Sequence, residues 1–548
     1  MNDKTQLTEM HFAELVFGFV YAVGTDADPV IRVFENYLKQ YSYKAEEFRI
    51  SRRLQSLNLG ISFDKHSRFR QMNDLMDAGN KARERAEDDG ILAVMAITDI
   101  ASHRSEDEQR RPGPRPRTAH LIRSVKRPEE VLLLRTVYRP GFFLIGIADS
   151  EDSQHAYLEK ELGLSPDEAG KVISRDRDED QLHGQRTRET FYLADVFVER
   201  TGEAYKKQLE RFLEVIFGHP FKTPTREEHA MFMAYASAAR SAQLGRQVGA
   251  AVATPEGEVI SVGMNEVPSP NGGPYWEGDS CDHRDHTRKV DSNREHRNRI
   301  VGSVLNKVES DLLSRENLAS VLIAIAEEDG AARTDGVAET VERWLRIVQS
   351  RIAGKDAVAE RIHASDLRDI TEYGRAVHGE MDAILSCARL GISPRGMHLY
   401  VTTFPCHNCT RHIIAAGIRR VYYIEPYPKS RARDLHSDAI CFSEREARES
   451  GKIPFLPFVG IGPRRYLDLF SLELSSGREI VRKNESGIPI VLEKRERPPR
   501  VPMVPLSYLE REDKLLDEFS SALEDLQGVQ NGEDNLKHPN VVKPHENG

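Results

Sequence analysis

Short apolar runs that end in glycine-marked turns and lead into helix-patterned stretches constrain this fold more than any other feature. Residues 15–23 (LVFGFVYAV) are rich in aromatic and β-branched side chains and stop at Gly24-Thr25-Asp26. Beyond them Val30, Ile31, Val33, Phe34, Tyr37 and Leu38 recur at the spacing of one helical face. Residues 141–148 (GFFLIGIA) repeat the arrangement before a helix-like stretch over 154–162, and residues 194–198 (ADVFV) supply a third strand. A strand buried on both faces reads as an unbroken apolar run, and strands alternating with helices build parallel sheets. The first part of the chain is therefore expected to be an α/β domain on a parallel sheet.

A chain of 548 residues is too long for one core, so two or three domains are expected. The proline-punctuated polar stretch 101–117 reads as an exposed loop. Prolines at 220 and 224 mark a break before a helical pattern over 226–243, and the first boundary is placed there. A hairpin follows, 248–253 and 259–264 around Pro255-Glu256-Gly257. Residues 271–370 turn helical and highly charged, which reads as an insertion. Then come a helix after His378, a strand over 398–402, a helix opened by Cys406 and a strand over 421–424. The expected division is 10–222, then 223–475 with its helical insertion, a C-terminal extension 476–526 and a disordered tail 527–548. In the extension, Leu509, Leu516, Phe519 and Leu523 fall on one face of a helix over 506–526, expected to pack on the protein's own core.

The net charge of −10 argues against a broad nucleic-acid-binding surface. Five cysteines are too few and too uneven for a disulfide framework. No apolar stretch approaches the roughly 20 residues that cross a bilayer, and the N-terminus lacks a signal-peptide pattern. A soluble, cytoplasmic protein is expected.

Two of the cysteines stand as Pro405-Cys406-x-x-Cys409, downstream of His378-Gly379-Glu380. One imidazole and two thiolates give zinc three ligands and leave a fourth position for water, as catalytic zinc requires. A helix start at Cys406 favours thiolates, because unpaired N–H groups and the helix dipole face them. Glu380, two residues from the histidine, is placed to face the bound water without being a ligand. A C-x-x-C pair alone also suits a structural zinc or a redox pair, and a lone histidine is usually only packed. The combination with His-x-Glu favours catalytic zinc, with Glu380 as proton carrier.

The pattern H-x-E followed by P-C-x-x-C is shared by the zinc deaminases. The stretch TTFPCHNCTRHIIAAGIRRVYYIEPYPKS resembles the cytidine/deoxycytidylate deaminase superfamily, in its deoxycytidylate branch. That resemblance implies a mixed sheet between helices, with both zinc motifs at helix N-termini. Gly379 departs from it, since the family commonly has alanine there. Residues 246–250 and 263–268 resemble the family's first hairpin, which implies Asn265 as a substrate contact and Arg246 as a phosphate contact. The blocks TEYGRAVHGEMDAIL, HLIRSVKRPEEVLLLR and RDEDQLHGQRTRETFYLADVFV resemble bacterial anti-phage dCTP deaminases, in which a P-loop nucleotide-kinase-like domain precedes the deaminase domain. The likeness spans most of residues 10–475. It implies deamination of dCTP or dCMP to uracil nucleotides, depletion of the nucleotide pool during infection, and a homo-oligomer. It also implies control by a regulatory nucleotide or an inhibitory RNA.

Two further patterns bear on ligands. Gly18 to Gly24-Thr25 sits where a phosphate-binding loop would, but it lacks the lysine of G-x-x-x-x-G-K-[ST] and is one residue longer. It reads as a degenerate nucleotide site, with Gly18, Gly24 and Thr25 as its residues, or as a relic of that fold. Cys281, His283 and His286 could hold a second, structural zinc or belong to a solvated loop. Two competing functions stay open: a polynucleotide cytidine deaminase, and a non-catalytic regulator with structural zinc.

Overall fold

The computed structural model describes residues 11–105, 113–177, 179, 181–312, 373–425, 427, 430–472, 479–501 and 504–528. Most of the expected insertion and the whole tail after residue 528 lie outside the described residues. The chain forms two compact units, one comprising Met1–Phe232, Tyr422–Pro426 and Leu456–Gly548, the other Met233–Val421 and Tyr427–Phe455. These units do not coincide with the expected division, because residues 223–232, 422–425 and 456–472 cluster with the first unit.

The first unit holds strands β1 (Leu15–Tyr21), β2 (Lys44–Arg49), β3 (Thr118–Arg123), β4 (Phe142–Ala148), β5 (Val196–Glu199) and β12 (Gly460–Ile461), in the order β12-β5-β4-β1-β3-β2. The first five run parallel, and β12 closes the edge antiparallel to β5. The parallel sheet is as expected from the apolar runs. Helix Asp28–Gln40 starts on Pro29 and buries Val30, Ile31, Phe34 and Leu38. Phe34 meets Phe17 edge-on at 4.9 Å and stacks on Phe212 at 6.3 Å, so an aromatic seam joins helix to sheet.

β2 and β3 carry charge and follow no apolar run. β2 is an edge strand, where charged side chains discourage pairing with other chains. β3 is buried throughout, its His120 and Arg123 matched by carboxylates of Glu14, Glu46, Asp28 and Glu47. The C-terminal extension joins this polar interior. It is two helices, Pro505–Glu518 and Ser520–Gln527, and the first buries Tyr508, Glu512 and Leu515, so the face through Leu509 and Leu516 is not the inner one. Glu512 pairs with Arg104, which also pairs with Glu14 at 3.0 Å, and Tyr508 donates to Glu14 at 2.6 Å.

A second sheet holds β6 (Gly249–Ala253), β7 (Val259–Met264), β8 (His398–Thr403), β9 (Arg420–Glu425), β10 (Ile440–Cys441) and β11 (Ile453–Pro457), in the order β10-β11-β9-β8-β6-β7, and β6, β7, β8 and β10 lie wholly in the second unit. β6 pairs antiparallel with β7 and β8, while β10 and β11 pair parallel, which makes the sheet mixed. Two glycines set how closely helices seat on the hairpin. A Cβ on Gly249 would overlap the Ala234 carbonyl and stand 2.7 Å from the Ala238 nitrogen. One on Gly263 would overlap the Gly379 carbonyl and the Ala383 nitrogen, and stand 2.9 Å from Ala383 Cα. Only glycine permits backbone to approach backbone that closely.

Candidate metal and catalytic site

Helix Gly379–Leu390 has His378 at its N-cap and ends on Gly391 in the left-handed conformation. It is fastened to β7: Ser261 Oγ donates to the Ala383 carbonyl at 2.8 Å, and the Met264 N–H to Asp382 at 3.4 Å. The approach to His378 is fixed as well. Glu266 and Val377 exchange backbone hydrogen bonds at 3.2 and 3.0 Å, and Asn265 Oδ1 accepts the Gly379 N–H at 2.9 Å. Gly379 is a requirement here, since a Cβ would stand 2.9 Å from the Val248 carbonyl oxygen. The family's usual alanine would not fit without a backbone shift.

Helix His407–Ala415 brings the thiols. Its N-cap is Cys406, whose sulfur accepts the Cys409 N–H at 3.4 Å. His378 Nδ1 lies 3.4 Å from Cys406 Sγ and 3.3 Å from Cys409 Sγ, and the three donor atoms lie within 4.8 Å of one another. Around a tetrahedral zinc, bonds of about 2.0–2.3 Å hold such donors about 3.5–3.8 Å apart, so the set fits the ion with little adjustment. Among the described residues no other group of three His, Cys, Asp or Glu converges in this way.

The charges interlock. The hydrogen bond to Cys406, aided by its charge, raises the His378 imidazole to about 9. A hydrogen bond from Cys409 lowers Cys406 to about 4, while the same bond and burial push the Cys409 thiol well up. Burial, with the Cys406 charge behind it, raises Glu380 to about 7. A carboxyl poised there takes and returns protons readily near neutral pH. The sequence expectation for His378, Glu380, Cys406 and Cys409 is thus one constellation of side chains.

The other expected residues divide. Asn265 lies beside the motif, and its amide donates to the carbonyl of Arg246 at 3.3 Å, while the Arg246 side chain is exposed. Cys281, His283 and His286 are exposed and do not converge as a group of three donors, and the intervening Asp282 accepts from Arg284 at 2.7–3.0 Å. Gly18 is a strand residue, paired with Ile122 and Leu144, and its missing side chain makes room for the Phe142 ring at 3.0 Å. Gly24, at φ +83°, and buried Thr25 do form a turn after β1, but the Val23 N–H there is taken by Asp176, itself paired with Lys126 at 2.9 Å. Sequence reasoning missed Gly263 and Glu266, which place His378; a glycine ending a strand just before Met-Asn-Glu was the available signal.

Comparisons with known proteins bear on this unit. The family model described as the cytidine and deoxycytidylate deaminase zinc-binding region matches residues 224–425. ComE operon protein 2 of Bacillus subtilis (strain 168) is 37% identical over 94 residues, which are 17% of this chain and 49% of that protein. A deoxycytidylate deaminase of Enterobacteria phage T2 is 42% identical over 55 residues, 10% of this chain and 29% of that one. The chain thus spans less than half the length of these curated relatives. The dCMP deaminase of cyanophage S-TIM5, solved with dCMP and dUMP, aligns over 42% of this chain and 98% of its own at 16% identity and a TM-score of 0.20. No helix among the described residues is long and apolar enough to cross a membrane. Residues 224–425, which carry the His378, Cys406 and Cys409 donors, thus match the cytidine and deoxycytidylate deaminase zinc-binding region and are similar over part of their length to deoxycytidylate deaminases.

Proposed function

We propose that the protein is a zinc-dependent hydrolase that converts free dCTP, dCMP or both to the uracil nucleotide and ammonia. The observation that carries the reading is the convergence of His378, Cys406 and Cys409 on one three-donor set with the buried Glu380 carboxyl beside it. Bound at these donors, zinc supplies a Lewis acid that lowers the pKa of its water. Glu380 would pass one proton of the attacking water to the ring nitrogen and the second, from the hydroxyl so formed, to the departing amine. A C–O bond forms at the carbon that loses its C–N bond, and the released group leaves as ammonia. Asn265, held by Gly379 and Arg246, is the substrate contact, and Arg246 reaches the phosphate.

The first unit reads as P-loop nucleotide-kinase-like. The chain leaves β1 toward β2 and β3 on one side and β4 and β5 on the other, a topological switch point where open α/β sheets bind ligands. That supports Gly24 and Thr25 as a nucleotide-binding turn, and the loop's missing lysine argues against phosphoryl transfer. The resemblance to anti-phage dCTP deaminases supports pool depletion during infection, by a cytoplasmic homo-oligomer.

The test is release of ammonia and uracil products from dCTP, dCMP, CTP, cytidine and a short oligonucleotide, with Glu380→Ala as control. Turnover of a free deoxynucleotide, abolished in the variant, is expected. Uracil appearing at the same rate in the oligonucleotide would replace this reading with a polynucleotide deaminase.

A further inference from the structure

Eight arginines in the described residues are more than nine-tenths buried: Arg83, Arg104, Arg123, Arg127, Arg284, Arg465, Arg497 and Arg500. The first six each lie within 4 Å of a carboxylate, from Glu130 for Arg83 to Asp195 for Arg465. Arg497 and Arg500, three residues apart, form no such pair among the described residues.

Among the described residues, part of their donor capacity is also unspent. Arg500 gives Nη2 to the carbonyls of Asp468 and Ser471, but its Nε and Nη1 are buried without a partner. Arg497 gives Nε to the Leu492 carbonyl at 2.7 Å and leaves Nη1 buried and unpartnered. Both flank the turn after helix Ala204–Ile216. The Arg500 N–H bonds the Ile216 carbonyl at 2.7 Å, its Cδ lies 3.6 Å from where Gly218 would carry a Cβ, and Arg497 repels a proton from the His219 imidazole. A third guanidinium, Arg482, donates to the Pro220 carbonyl of the same turn. The acids nearby are engaged elsewhere, Glu214 with Lys222 at 2.6 Å and Asp468 with Arg465 at 3.6 Å.

A buried cation without a counter-charge is among the most costly arrangements in a protein, and proteins that keep one supply an anion. Burial lowers the Arg500 guanidinium from its ordinary value; the charge of Asp468, not in an ion pair with it, offsets this only in part, and that of Arg482 adds to it. We propose that Arg497 and Arg500, at the turn Phe217–Phe221, form a binding site for a phosphate group, free or carried on a nucleotide. Two guanidinium forks with spare N–H donors match the several charged oxygens of a phosphate better than a single carboxylate. The site lies apart from the zinc donors in sequence and does not depend on the deaminase reading.

The test is calorimetric titration and thermal unfolding of the full chain with inorganic phosphate, against sodium chloride at matched ionic strength. Wild type is expected to bind saturably and to unfold at higher temperature with phosphate. Arg500→Met and Arg497→Met are each expected to lose about tenfold or more in phosphate affinity. Arg500→Met should unfold no lower than wild type in chloride, because it removes a buried charge that has no ion-pair partner within 4 Å. Should that variant fail to fold, Arg497→Met alone decides. A second arm with ATP separates the sources: Arg500-dependent binding tighter than that of inorganic phosphate identifies a nucleotide, and equal or weaker binding the free ion. Wild type responding to phosphate only as it does to chloride, or variants binding phosphate like wild type, would overturn the proposal.

Discussion

Asn265 joins the two chain segments that frame the zinc motif, accepting the Gly379 N–H at 2.9 Å and donating to the Arg246 carbonyl at 3.3 Å. The first of these bonds satisfies an N–H at the start of the helix that carries Glu380. Asn265→Ala should therefore cost on the order of 1 kcal/mol at that helix end. It should lower kcat/KM for the deoxynucleotide by about tenfold or more, through loss of a substrate hydrogen bond. Zinc content, measured by atomic absorption, should stay at the wild-type level, since the three donors are untouched. A kcat/KM within twofold of wild type would remove Asn265 from the site.

Gly263→Ala places a methyl group into the first turn of the helix Gly379–Leu390. Overlap with backbone cannot be relieved by a rotamer change, so the helix must move off β7 and carry His378 with it. The expected loss is about 2 kcal/mol or more in urea unfolding, with less zinc bound per chain. Gly379→Ala comes under 3.0 Å only at the Val248 carbonyl oxygen and should be the milder of the two. Equal unfolding midpoints for wild type and Gly263→Ala would contradict the close seating of helix on hairpin.

Acid should loosen the first unit through Glu14. Burial pushes its carboxyl up, but hydrogen bonding from His120 and the charge of Arg104 outweigh this and hold it at about 2, against an ordinary 4.5. A carboxyl lowered by folding contributes stability that is present above the unfolded value and lost as pH falls toward the folded one. The contribution amounts to about 3 kcal/mol at most, and Glu512, which burial raises, works against it. Unfolding midpoints between pH 5 and 2.5 should fall more steeply for wild type than for Glu14→Gln. Parallel slopes would show that Glu14 is not held down.

The parts of this fold that were legible from sequence are those whose physics is local. β1, β4 and β5 announce themselves because central parallel strands are apolar on both faces. The zinc set is legible because its spacing belongs to two helix starts. β3 was hidden, since TAHLIR reads as half polar until Glu14 and Asp28 are seen to neutralise it. The inner face of Pro505–Glu518 was hidden for the same reason: Tyr508 and Glu512 point inward toward Glu14 and Arg104, partners about 400 residues or more away in the sequence. Gly18 misled because glycine marks a tight strand as readily as a loop.

The bond from Tyr508 to Glu14 also orders events in time. A ribosome adding roughly 5–20 residues per second needs on the order of a minute to travel from one of these residues to the other. Arg104, His120 and Glu14 exist as a nascent, half-built core through that interval, while every strand of the second unit and all three zinc donors have already emerged. The unit that carries the three donors can thus finish folding before the N-terminal one is sealed by Tyr508.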